Sequence, residues 1–251
     1  MTSQPRDKQL EYWQGASADV AGMLGGVTEV KGFSSVSRID LQGSRTFLAR
    51  LGIGLKSDRK TVKVALDAGA GYVSNSYSHI DSPISELNTD EKYPRLRIGR
   101  ITENLLLKVA HEVDIIEPVE KLTDAIKGKA GVRNIYNVGL EDWKPEEDTS
   151  YDLIWTQWCL CYLTEDQIVE YLETCKAALS ATGVIVVKEN LSTTGKDHFD
   201  ETDSSTTRTD EVYQALFKKA GLRLVKTELQ RGLPEFSNRR LFPVRMYALR
   251  V

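Results

Sequence analysis

From residue 62 onward the chain alternates between short apolar runs and amphipathic stretches. Val62–Ala68 and Gly183–Val187 are apolar almost throughout and read as buried strands. Glu112–Glu117, Val132–Val138, Tyr151–Trp155, Leu222–Leu229 and Val244–Val251 complete a predicted set of seven strands. Between them the spacing predicts helices over Ile101–Ala110, 119–127, Thr164–Leu179 with Thr164 as N-cap, and 209–220 closed by Gly221. Nearly continuous apolar strands separated by helices belong in a parallel sheet covered on both faces. The last two strands have no long helix between them and predict a hairpin at one sheet edge. Ahead of the first strand, residues 5–51 read as helical, with segments at Gln9–Gln14, around Met23–Gly26, and near 42–51 entered from Asp40.

That order predicts an α/β, Rossmann-like domain, either a methyltransferase or a dehydrogenase, with a helical N-terminal cover over 1–55. The first strand runs into Leu66-Asp67-Ala68-Gly69-Ala70-Gly71. Glycines in such a turn let the backbone approach a ligand at the carboxyl edge of the sheet. Glu117 ends the second strand, where an acidic side chain can accept hydrogen bonds from ribose hydroxyls. A glycine-rich turn alone also fits an ordinary strand–helix junction; Asp67, Glu117 and the strand order favour a ligand site. The turn lacks the Gly-x-Gly-x-x-Gly spacing suited to a pyrophosphate, so S-adenosylmethionine is favoured over a nicotinamide dinucleotide.

The helix expected next, Ile98-Gly99-Arg100-Ile101-Thr102, begins only after a further 26 residues, 72–97. They are polar, hold two prolines and show no periodicity. This loop-like insertion exceeds the ~12–15 residues usual for a connection without structure. Three readings compete: an inserted lid, a disruption that leaves a folded but inactive protein, and retained intron sequence. The codons permit the third. Gly71-Tyr72-Val73-Ser74 can carry a donor-like splice signal and Leu96-Arg97 an acceptor-like one. Removal in frame joins Gly71 to Ile98 and restores Gly-Ala-Gly-Ile-Gly-Arg.

Composition narrows the classes. The 251 residues suffice for a single domain over 1–251 with a full core. A net charge of −3 argues against global attraction to nucleic acid. No apolar run approaches the ~18 residues of a membrane span. The start MTSQPRDKQLEYW is too polar for a secretory signal, and the cysteine usage points to the cytoplasm, with the nucleus as a further site. Cys159, Cys161 and Cys175 have neither disulfide nor zinc spacing and read as reduced, partly buried thiols. The three histidines do not cluster with them, so no metal site is expected.

Tyr12-Trp13, Gly22-Met23-Leu24-Gly25-Gly26, Ile39-Asp40, Ser44-Arg45 and Phe47-Leu48 precede the glycine turn. Gln157-Trp158, Lys188-Glu189-Asn190, Asp203-Ser204-Ser205 and Tyr247-Ala248-Leu249-Arg250 follow it. Together, in this order across nearly the whole chain, they resemble the protein N-terminal α-amino methyltransferases that modify X-Pro-Lys N-termini. The resemblance implies a class I methyltransferase fold with S-adenosylmethionine as donor. The implied acceptor is an exposed protein N-terminus reading X-Pro-Lys or X-Pro-Arg after loss of the initiator Met, ribosomal proteins included. It also implies that Gly69, Gly71 and Arg100 hold the methionine portion of the cofactor and Glu117 the ribose. Leu140 and Glu141 would flank the adenine, with Gln157 touching the cofactor as well. Trp13, Gly25 and Trp158 would line the acceptor channel, and Asn190, Asp200 and Asp203 would position the amine and the basic third residue. Glu141 stands where the family more often has glutamine. Tyr162 stands where a histidine is common, and a phenol of pKa ~10 is a poor base at neutral pH.

Methyl transfer from a sulfonium is an in-line displacement by a nitrogen lone pair. An α-amino group of pKa ~7.7–8.0 offers a neutral fraction that a lysine at ~10.4 does not. The enzyme then needs alignment and a proton acceptor. Asp203 is the candidate acceptor, Asn190 the candidate orienter through its carbonyl oxygen, and Asp200 the partner of the substrate's cation. Each has a plainer reading: Asp203-Ser204-Ser205 as a helix cap, the tryptophans as core, and 200–203 as a solvated loop. The functional alternatives are a catalytically impaired methyltransferase-fold scaffold or binding protein, and a small-molecule methyltransferase.

Overall fold

The structure, a computed structural model, describes residues 5–15, 34–69, 99–235 and 241–251, with side chains from residue 9. The strands are β1 (Val62–Ala68), β2 (Ala110–Ile116), β3 (Val132–Tyr136), β4 (Tyr151–Gln157), β5 (Leu179–Asn190), β6 (His198–Asp200), β7 (Ser205–Thr207), β8 (Arg223–Leu229) and β9 (Val244–Arg250). Seven of them form one sheet in the order β3-β2-β1-β4-β5-β9-β8. The pairs among β1–β5 are parallel, while β9 runs antiparallel to both β5 and β8. The expected edge hairpin is therefore present, with β9 seated between β5 and β8. β6 and β7 form a separate small hairpin where the sequence suggested only a loop.

The helices are α1 (Pro5–Gly15), α2 (Val36–Arg50), α3 (Arg100–Asn104), α4 (Glu165–Ala177) and α5 (Asp210–Lys219). Alternate residues of the strands point to opposite faces. Leu153, Trp155, Val184 and Val186 pack with Phe47 and Leu48 of α2 and Ile101 of α3. Ile154, Ile185 and Val187 pack with Ile168 and Leu172 of α4 and Phe217 of α5. Burying a side chain of this size contributes roughly 1.5–3 kcal/mol, so both faces need their helical cover. Thr164 caps α4 in a full capping box: its hydroxyl accepts from the Gln167 amide N–H while Gln167 Oε1 accepts from the Thr164 N–H.

Three predicted helices differ. The one expected over Ile101–Ala110 is the five-residue α3 followed by a 3-10 turn at Leu106–Lys108. The backbone leaves helical geometry at Leu105, φ −124, and β2 already begins at Ala110. The helix expected over 119–127 is two 3-10 turns, Glu120–Leu122 and Asp124–Ile126. Between them the Thr123 hydroxyl donates to the Glu120 carbonyl at 2.8 Å, competing with the backbone ladder. α2 starts at Val36 rather than near 42, because Asp40 and Ser44 belong to its buried stripe with Val36, Phe47 and Leu48.

Candidate functional site

A cleft opens at the carboxyl end of β1, lined by Gly69. Gly69 terminates the strand with φ +83, a left-handed backbone that favours glycine. Its N–H donates to the Ile116 carbonyl at 2.9 Å. Pro118, Gly139, Leu140 and Glu141 form one wall, Cys159, Tyr162 and Leu163 another, and Gln9 and Leu10 of α1 close over the top. Gln9 ties this cover down by donating to the carbonyls of Tyr162 and Ser204, each at 3.2 Å.

The two ends of the glycine turn are held together although residues 70–98 lie outside the described residues. Thr102 Oγ1 donates to Asp67 Oδ2 at 2.5 Å, which fixes the start of α3 against the end of β1. Burial pushes the Asp67 carboxyl up to about 7, against the opposing pull of the Thr102 bond and the Arg100 charge.

Of the seven residues expected at the cofactor, Gly69, Leu140 and Glu141 line the cleft. Glu117 is buried directly before Pro118, its Oε1 accepting from the Val119 N–H at 2.8 Å. Gly71 lies outside the described residues. Arg100 and Gln157 come together in a buried cluster around Asp40, a residue outside the expected site. Arg100 Nη1 donates to Asp40 Oδ2 at 2.6 Å, and Gln157 Nε2 donates to the same carboxylate at 3.1–3.2 Å. Lys188 Nζ lies 2.5 Å from Asp40 Oδ1 and also donates to the Asp40 carbonyl, Ser44 Oγ and Gln230 Oε1. Burial alone would raise the Asp40 pKa, but Lys188 and Arg100 outweigh it and hold the carboxylate below its usual range.

Trp13 and Trp158 meet in one buried aromatic and aliphatic cluster with Val36, Val119, Leu122 and Val244. Tyr162 packs edge-on against Trp13, ring centroids 6.2 Å apart. The Arg100 guanidinium stands 5.6 Å, and the Lys188 ammonium 5.9 Å, from the Trp158 ring centroid. Gly25 lies outside the described residues. Asp203 is buried, accepting from Tyr162 OH at 3.1 Å and from the Ser205 N–H at 3.0 Å. Asn190, also buried, ends β5 opposite Val244 of the tryptophan cluster. Asp200 is half-buried, and its Oδ1 closes its own turn by accepting from the Thr202 N–H at 2.8 Å.

Two non-glycine residues here carry left-handed backbone: Trp158 at φ +55 and Ser204 at φ +59. Such conformations cost of order 1–3 kcal/mol and persist where surrounding contacts impose them. Trp158 is pinned by its N–H bond to the Lys188 carbonyl at 2.9 Å, and Ser204 sits between the two ends of the Asp203–Ser205 bond.

Glu189 holds the following turn. Its Oε1 accepts from the N–H groups of Cys159 and Leu160 at 2.8 and 2.9 Å, while Oε2 has no partner among the described residues. Burial pushes its carboxyl up to about 8 despite those bonds. The folded chain therefore binds this proton more tightly than the unfolded chain does. Stability is greatest below the ordinary glutamate range and falls as pH rises toward about 8. Glu189→Gln keeps the accepting oxygen and cannot ionise. Its Tm should fall less than the wild-type Tm across that window, by ~2–4 °C for each kcal/mol recovered; parallel profiles in differential scanning calorimetry would contradict this. The cysteines are all free and buried, and burial pushes the Cys159 and Cys161 thiols well above their ordinary value, leaving them unreactive. Among the described residues no cluster suits a metal ion, and no helix is long and apolar enough to cross a membrane.

A family model described as AdoMet dependent proline di-methyltransferase matches residues 2–77 and 96–250. The alpha N-terminal protein methyltransferase 1 of Schizosaccharomyces pombe is 41% identical over 242 residues, covering 96% of this chain and 93% of that protein. The human N-terminal Xaa-Pro-Lys N-methyltransferase 1 is 34% identical, covering 97% of this chain and 94% of its own length. Among solved structures, a SAM-dependent methyltransferase from Leishmania major superposes with a TM-score of 0.74 at 34% identity, covering 98% of this chain and 83% of that one.

Proposed function

The chain belongs to the family of AdoMet-dependent proline di-methyltransferases, and from that premise we propose that it methylates the free α-amino group of proteins whose exposed N-terminus reads X-Pro-Lys or X-Pro-Arg. S-adenosylmethionine is the donor. Ribosomal proteins fall among such acceptors, and the cytoplasm and nucleus are the compartments of action, a reading supported by three free cysteines. An impaired scaffold is not favoured, since the relatives in the match are named as methyltransferases. The observation that carries the reading is Asp203, a buried carboxylate bonded to a tyrosine of the cleft wall that itself packs on Trp13.

When bound, S-adenosylmethionine supplies an electrophilic methyl group on a sulfonium. The residues present fit it: a left-handed glycine for close approach, a buried guanidinium for a carboxylate, an acidic strand end for ribose hydroxyls, and Leu140 for an adenine face. Arg100 would hold the methionine carboxylate with Gly69, Gly71 and Gln157 around it, and Glu117 the ribose. Leu140 and Glu141 would flank the base. Trp13 and Trp158 wall the acceptor channel against water, where the resemblance also implies Gly25; Asn190 orients the amine, and Asp203 receives its proton so that the lone pair is exposed. Asp200 meets the cation of the third residue with its second oxygen. X-Pro-Lys and X-Pro-Arg peptides should be methylated at least ~10-fold faster than X-Pro-Glu, whose charge opposes Asp200 and Asp203. Equal turnover of the glutamate peptide would remove this assignment.

Residues 78–95 fall in the gap of the family match, within the expected insertion 72–97. The reading that these 26 residues interrupt one turn has a direct consequence. A chain with Gly71 joined to Ile98 should bind S-adenosylmethionine at least ~10-fold more tightly, because Gly69, Gly71 and Arg100 then lie on one short turn. Calorimetric titration of both forms checks this; equal affinities would mark the segment as a tolerated insertion. Transcripts that all contain the coding segment would end the intron explanation.

A further inference from the structure

The cluster around Asp40 holds more positive than negative charge, with two buried cations on one carboxylate. Lys188 is fully buried, and its Nζ faces four acceptors: Asp40 Oδ1, the Asp40 carbonyl, Ser44 Oγ and Gln230 Oε1. The Ser44 hydroxyl hydrogen is itself committed to the Asp40 carbonyl at 3.0 Å, so its oxygen is free to accept from Lys188. Burial and the Arg100 charge lower the Lys188 pKa from the ordinary lysine value, but the Asp40 carboxylate and three further acceptors around Nζ hold it as an ammonium. Arg100, equally buried, shares the same single carboxylate and uses one end of its fork to do so. Two cations and one anion leave a surplus positive charge out of water, and such a charge is costly unless something neutralises it. Asp67, the other carboxyl near Arg100, is bonded to Thr102 and is pushed by burial to about 7, so it is no permanent counter-charge.

We propose that Lys188 is a positioning residue of the cofactor's carboxylate subsite: by neutralising Asp40 it leaves the Arg100 charge available to a ligand carboxylate. Without Lys188, Asp40 and Arg100 form a closed neutral pair, and an incoming carboxylate meets no net charge. With it, Asp40 orients the guanidinium without cancelling it. The inference rests on the reading that Arg100 takes the methionine carboxylate. It extends that reading to Lys188, Asp40 and Ser44, which link α2 of the N-terminal cover to β5.

The test compares S-adenosylmethionine with its decarboxylated analogue, which differ only in the carboxylate, by calorimetric titration below the pH at which Asp67 ionises. The wild-type chain should prefer the carboxylate-bearing ligand. Lys188→Met should narrow that preference about tenfold, the effect of roughly one partly screened charge. The double variant Lys188→Met with Asp40→Asn removes one charge of each sign, restores the surplus on Arg100, and should recover the wild-type preference to within about threefold. A lysine acting only as a structural prop predicts no such recovery. The double variant also removes a buried ion pair together rather than stranding one partner, so it keeps the test open if Lys188→Met fails to fold. A wild-type preference that survives in Lys188→Met overturns the inference, as does a preference still lost in the double variant. A wild-type chain with no preference overturns it together with the Arg100 reading.

Discussion

Replacing Asp203 with asparagine lowers kcat/KM for an X-Pro-Lys peptide by at least ~10²-fold, the usual scale of one acid–base group. The substitution keeps the size of the side chain and one accepting oxygen, so the bond from either the Ser205 N–H or Tyr162 OH can persist. What it removes is the charge that receives the ammonium proton. With the α-amino pKa at ~7.7–8.0, a neutral fraction survives without that acceptor, and raising the pH should recover part of the lost rate. Cofactor affinity should stay within about twofold, since Asp203 lies against Tyr162 and Ser205 rather than against the Asp40 cluster. A variant with near-normal kcat/KM would show that the buried Asp203–Tyr162 pair is a structural bond of the Ser204 turn.

Asn190→Ala is expected to cost a similar ~10²-fold, through orientation rather than through the proton. Asn190 ends β5 beside Glu189, which holds the Cys159–Leu160 turn, and opposite Val244 of the cluster containing both tryptophans. It therefore stands where the rigid sheet meets the proposed channel. An amide there offers both a carbonyl oxygen to an amine and an N–H pair to a carbonyl. Alanine removes both and leaves the strand pairing intact. The loss should be about the same at every pH, unlike that of Asp203→Asn. A pH–rate profile that matches the Asp203 variant would assign the two residues one shared role instead.

Much of the architecture was legible because it depends on local pattern. β1 runs over Val62–Ala68 as expected, since the run is apolar and continuous. Thr164 caps α4 and Gly221, at φ +71, closes the turn after α5, since both signals lie within a few residues of the helix ends they mark. The site was less legible because its partners are remote in sequence. Asp40 looked like the polar start of a helix, yet it is a buried member of an i, i+4 stripe, Val36-Asp40-Ser44-Leu48, whose reason is a lysine 148 positions away. That spacing was the available signal, together with a lysine closing the apolar run Val184–Val187. Tyr162 and Asp203 are 41 positions apart, and nothing in the loop pattern paired them. Gln9 gave no signal either, because its partners are backbone carbonyls. Asp200 shows the converse: a charge in an expected binding stretch whose Oδ1 serves its own turn.

The most direct test of the proposed activity is mass spectrometry of an X-Pro-Lys peptide and its N-acetylated twin after incubation with the chain and S-adenosylmethionine. The expected result is methyl addition to the free peptide, mapped by fragmentation to the α-nitrogen, with the acetylated peptide unchanged. Methyl groups on the lysine side chain, equal labelling of the acetylated peptide, or no methylation of either would contradict the account.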